Sequence, residues 1–86
     1  MEGTYEIRLE GLELIDKELL EFKDNNKVTW SLGHTFITGR YTEQGNSIKV
    51  SIKGKEGMIV ECWTKNTKGV HTSDLFEERY LKKLNK

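Results

Sequence analysis

The stretch Asp74–Lys86, "DLFEERYLKKLNK", decides which class of fold the chain can adopt. Phe76, Tyr80 and Leu84 recur every four residues with Leu81 beside them, which is the apolar stripe of an amphipathic helix. Asp74 stands where an N-cap belongs, and Glu77 is placed to complete a capping box. Glu78 can pair with Lys82, and Lys82, Lys83 and Lys86 fall at the negative end of a helix dipole. The spacing predicts one C-terminal α-helix over residues 74–85. Upstream the pattern is mostly that of strands. The expected fold class is therefore α+β: an antiparallel β-meander, or a small partly open β-barrel, of five to six strands with that helix packed on it.

Working back from the helix, "MIVECWT" at 58–64 carries bulk on both parities. Met58, Val60 and Cys62 are read as facing inward, and Ile59 and Trp63 as the seat of the helix. A strand that is apolar on both faces is covered by a helix or by a second chain. "SIKVSIK" turns Ile48, Val50 and Ile52 to one side, and "FITGRYT" does the same with Ile37, Gly39 and Tyr41, the turn "EQGN" joining them. Leu20 and Phe22 share a parity, "KDNNK" supplies turn residues that tolerate positive φ, and Val28, Trp30 and Leu32 return on the same face. Tyr5, Ile7 and Leu9 give the first strand its apolar side. Residues 12–20 fit either state, with Leu12, Ile15 and Leu19 at helical spacing and Leu12 and Leu14 at strand spacing.

The chain of 86 residues is 35% hydrophobic and 33% charged, which makes one domain over 1–86 with a thin core. Such a domain gains by self-association, so a homodimer is expected. Alanine and proline are both absent, as in proteins from AT-rich genomes, and size and composition fit a phage or mobile-element accessory protein. Cys62 is the single cysteine, so no intrachain disulfide is possible. No signal-type leader and no apolar run near the roughly 18–20 residues of a membrane span is present, and a cytoplasmic location is expected. Net charge is zero but uneven: residues 1–24 hold eight acidic against three basic side chains, and residues 25–55 five basic against Glu43 alone.

Residues 20–52, with Gly39, Tyr41, Thr42, Gly45, Asn46, Ile48 and Val50 in place, resemble the β-meander of META domains and lipocalin-like bacterial domains. Met58, Cys62 and a helix after Asp74 echo the META pattern. The resemblance implies a β-meander and carries over no catalytic or ligand residue. A lipocalin calyx needs eight strands, more than this chain is expected to supply alone.

The candidates for chemistry are few. His34, Cys62 and His71 match no zinc spacing and no nucleophile motif, and Cys62 on an inward parity reads as a packed thiol. The expectation is a non-enzymatic binding protein with no cofactor and no metal, acting on a protein partner or inhibiting it. Phe36, Ile59 and Trp63 are the anchors expected of such a surface. The outward row Thr38, Arg40, Thr42, Lys49 and Lys53 is the alternative, since hydroxyls around an Arg and Lys can hold a small anion such as a nucleotide. Single-stranded nucleic acid is a third possibility on the same face, disfavoured by the zero net charge and the absence of an RNP motif.

Overall fold

Eight strands follow one another along the chain: β1 (Gly3–Leu9), β2 (Glu18–Phe22), β3 (Lys27–Leu32), β4 (Thr35–Gln44), β5 (Ser47–Gly54), β6 (Gly57–Lys65), β7 (His71–Ser73) and β8 (Arg79–Lys83). The structure is a computed structural model that describes residues 1–13 and 15–84. Each strand pairs antiparallel with the next, and β8 returns to pair with β1, closing an eight-stranded barrel.

The α+β expectation, with five or six strands and a helix over 74–85, is thereby overturned. Residues 74–78 form a loop and 79–83 a strand, while Asn85 and Lys86 lie outside the described residues. The physical reason lies at the other end of the chain. β1 is paired by β2 on one side only, and the other edge would leave a row of backbone donors and acceptors unmatched. β8 fills that edge, setting Leu81 opposite Ile7 and Tyr80 opposite Arg8. A helix this short has little stability of its own in water, so the ladder wins. Asp74 caps nothing helical; its Oδ1 accepts the Thr64 hydroxyl at 2.8 Å. The chain also supplies the eight strands it was expected to lack, by keeping β2 and β8 to five residues and β7 to three.

The segment before β2 is irregular where it is described: Leu12 makes one bridge to Leu9, Ile15 and Asp16 bend, and β2 starts at Glu18, while Leu14 lies outside the described residues. The turn chemistry is local and follows the residues. Asn25 and Asn26 take φ of 64° and 61° between β2 and β3, a region asparagine tolerates better than most side chains. Gly39 sits where β4 crosses β5 so closely that a Cβ would lie 2.3 Å from the Ser51 carbonyl oxygen.

The lumen is filled by Ile7, Leu20, Phe22, Val28, Tyr41, Ile48, Val50, Ile52, Trp63 and Leu81, at least one from every strand but β7, which contributes buried Ser73. Burying each large apolar side chain is worth about 1.5–3 kcal/mol. The inward face of β6 is the reverse of the one expected. Register sets Trp63 opposite Ile48, Glu61 opposite Val50 and Ile59 opposite Ile52. Residues paired across a ladder share a face, so Ile59, Glu61 and Trp63 follow β5 inward. Met58, Val60 and Cys62 face out, and no helix among the described residues covers them.

Candidate functional site

The two ends of the barrel differ. At the end where β1 begins, Tyr5, Phe22 and Tyr41 stack edge to face, with centroids 5.6 and 4.8 Å apart. The Tyr41 hydroxyl donates to the carbonyls of Met1 and Lys23 at 2.9 and 3.2 Å. Burial, with the nearby charges of Glu43, Glu2 and Asp24, pushes the Tyr41 phenol above its ordinary value of 10.0 and keeps it neutral. Aromatic rings and Met1 plug this end.

At the other end the lumen holds a cavity of about 120 Å³, lined by Ile7, Leu20, Trp30, Ile37, Val50, Ile52, Ile59 and Trp63 with Glu18, Glu61 and Arg79. Three of these form an ionic bridge. Glu18 and Glu61 lie on β2 and β6, four places apart in a ring of eight and so on opposite walls. Arg79, the first residue of β8, reaches both. Its Nε and Nη2 donate to Glu61 at 2.9 and 3.2 Å, and its Nη1 and Nη2 to Glu18 at 3.2 and 3.3 Å. Trp30 Nε1 donates to Glu18 at 2.7 Å and the Ser73 hydroxyl to Glu61 at 2.8 Å. The guanidinium also lies 5.5 Å from the Trp63 ring centroid. Burial works against the Arg79 charge, and the hydrogen bonds and charges of Glu61 and Glu18 outweigh it, holding the group above its ordinary value. One side chain thus ties opposite walls together near the mouth.

Trp63 is wholly buried, and its indole N–H finds no acceptor among the described residues. Trp30, the other tryptophan, is paired with Glu18. Around the mouth runs an apolar rim. Among the described residues the exposed large apolar side chains are Leu12 and Ile15 from loop 10–17, Leu32 and Phe36 beside turn 33–34, Met58, Ile59 and Val60 opening β6, and Leu75 and Phe76 from loop 74–78. All belong to the open end, and the plugged end contributes none. A groove of about 380 Å³ between Leu9, Ile59, Val60, Leu75 and Phe76 runs down to Glu61 and Arg79.

Comparison with protein-family models, curated proteins and solved structures finds no match to the chain.

Of the expected partner anchors, Phe36 and Ile59 stand on this rim at 71% and 63% exposure, whereas Trp63 is 0% exposed inside the barrel and reaches no surface. Thr38, Arg40, Thr42, Lys49 and Lys53 all face outward and exposed from β4 and β5, with Thr42 paired to Lys49 and Arg40 to Ser51. They share a convex wall, and none lines the cavity. His34 lies in the turn at the open end, His71 opens β7 at the plugged end, and Cys62 faces out between them, half-buried rather than packed in the lumen. Burial and the Lys65 charge hold His71 below its ordinary value. Among the described residues no group of three or more His, Cys, Asp or Glu side chains could hold a metal ion, and no helix is long and apolar enough to cross a membrane.

Sequence reading missed the bridge. Its signal was present: Glu18 shares the inward parity of Leu20 and Phe22, so a carboxylate was due to enter the lumen. Glu61 and Arg79 were hidden by the reversed β6 parity and by the helical reading of 74–85.

Proposed function

We propose that the protein acts by binding, and that the apolar rim at the open end docks a partner protein. The observation that carries this reading is the segregation of the exposed large apolar side chains to one end of the barrel. Single exposed apolar residues are ordinary on a protein surface, whereas a concentrated patch marks an interaction site. The flanks describe the partner. Loops 10–17 and 74–78, neighbours through the β1–β8 pairing, carry Glu10, Glu13, Asp16, Asp74, Glu77 and Glu78 against Lys17. A partner surface that is apolar at its centre and basic along one edge complements both features, with charge steering the encounter and apolar burial holding it. A cytoplasmic setting belongs to the same reading, since Cys62 has no second cysteine in the chain to pair with.

A photo-crosslinking amino acid at Phe76, in cells of the source organism, tests this against the same group at Thr67 on the plugged end. The expected result is a discrete heterologous adduct from position 76 alone, lost when Ile59→Glu is added. Adducts of equal yield from both positions, or none from position 76, refute docking at the rim. An adduct between two copies of the chain would make the rim a self-association surface instead.

A second reading is favoured by one observation. Arg40 and Lys49 are diagonal neighbours on the outer wall, and neither is in an ion pair among the described residues. A small anion could lie between them. Arg40→Ala should then abolish thermal stabilisation by a nucleotide while leaving the ligand-free melting temperature unchanged.

A further inference from the structure

We infer that the partner enters the rim as a strand: the bare edge of β6 at Met58 and Val60 takes up an extended segment of another protein, a short apolar run with lysine or arginine at its ends. This mode of binding rests on docking at the rim and specifies how the docking is made.

Three observations point to an added strand. The first is a gap in the ladder. β5 pairs with β6 from Gly57 to Thr64, whereas β7 pairs only with Trp63, Thr64 and Lys65. Backbone groups of successive strand residues point to alternate edges. The Lys65 N–H donates to the Asn46 carbonyl at 2.8 Å on the β5 side, and the Cys62 carbonyl accepts from the Asp74 N–H at 2.9 Å on the other. Met58 and Val60 therefore turn their N–H and C=O to the edge that β7 leaves bare, and neither has a backbone partner there among the described residues. Loop 74–78 spends its own donors elsewhere: the Leu75 N–H goes to the Ser73 hydroxyl at 3.2 Å and the Arg79 N–H to the Phe76 carbonyl at 3.0 Å. Unmatched groups on an exposed strand are a template for another strand. The second observation is the groove of about 380 Å³ beside this edge, walled by Leu9, Ile59, Val60, Leu75 and Phe76. Residues paired across a ladder share a face, and β6 exposes apolar side chains on both faces here, so the added segment is apolar on both. The third is charge. Loops 10–17 and 74–78 bring Glu10, Glu13, Asp16, Glu77 and Glu78 to this end with Lys17 alone against them. Basic ends on the segment are attracted, while a second copy pairing edge to edge would set its own acidic loops against these.

Proline separates this mode from apolar docking alone. Val60→Pro removes an N–H that the β5 ladder does not use, and proline is tolerated at such an edge. Val60→Thr keeps the N–H and the branched shape. With the crosslinker at position 76 in cells of the source organism, the expected result is that the heterologous adduct is lost in Val60→Pro and kept in Val60→Thr. An adduct that survives Val60→Pro overturns strand addition and leaves docking at the rim standing. No adduct from the otherwise wild-type chain removes the docking reading and this one with it. Where Val60→Pro does not fold, the ¹⁵N-labelled wild type decides, titrated with the peptide acetyl-Lys-Val-Ile-Val-Lys-amide and with the same peptide N-methylated at its three apolar residues. The parent peptide should shift the Met58 and Val60 amides downfield and slow their hydrogen exchange. Methylation, which deletes the donors and keeps the side chains, should weaken binding about tenfold or more, as the loss of two hydrogen bonds implies. Equal binding of the two peptides, or no saturable change at the Met58 and Val60 amides, overturns the inference.

Discussion

Replacing Arg79 with methionine would leave Glu18 and Glu61 facing each other across the barrel with nothing between them. Methionine keeps an apolar stem against Trp63, so the loss is chiefly of charge and of the four hydrogen bonds, 2.9–3.3 Å long, that the guanidinium donates. Breaking a buried pair by removing one partner costs about 3–5 kcal/mol, because the survivors are stranded in a poor solvent. Here the three side chains keep 16–23% exposure, so water screens part of the penalty and the low end, ~3 kcal/mol, is expected. A domain of this size has a total stability on the order of 4–13 kcal/mol, so the change is a large fraction of it. The melting temperature should fall by roughly 12–24 °C at pH 7.5. Combining Arg79→Met with Glu18→Gln and Glu61→Gln removes all three charges and should recover most of the loss. Urea denaturation at pH 7.5 measures both changes. A single variant as stable as wild type at pH 7.5, or a triple variant that recovers none of the loss, would refute the account of the bridge.

Gly39→Ala should destabilise the barrel by about 1–3 kcal/mol, because overpacking forces backbone to move where a Cβ would meet the Ser51 oxygen at 2.3 Å; an unchanged urea midpoint would show that β4 and β5 separate freely there. His71 is held below its ordinary value of 6.5 by burial and by Lys65, with Glu43 partly opposing. Unfolding therefore takes up a proton as pH drops below that value, and stability present above it is lost on acidification. His71→Gln should lack this component, so its urea midpoint should gain on wild type from pH 7.5 to 5.5; parallel profiles would contradict the shift.

Much of the barrel wall is legible locally. Alternation marks the strands from Leu20 to Lys53, and the Asn25–Asn26 and Gly45–Asn46 pairs supply the positions that take or adjoin positive φ. These are short-range matters of turn sterics and period-two patterning, so the residues themselves carry them. Two features escape such a reading. Ile59 and Trp63 against Met58, Val60 and Cys62 give β6 two apolar faces, and only its register with β5 chooses between them. The segment after Asp74 satisfies helical spacing and strand alternation alike, and the open edge of β1, at the opposite end of the chain, decides for the strand. With that decision Leu81 enters the core and Arg79 enters the mouth, where it meets carboxylates from walls that no sequence proximity connects. Composition and period thus determined a small β-rich domain with polar turns. Closure, inward face, cavity and ionic bridge came from long-range pairing, because a backbone edge must be matched by whichever segment can reach it.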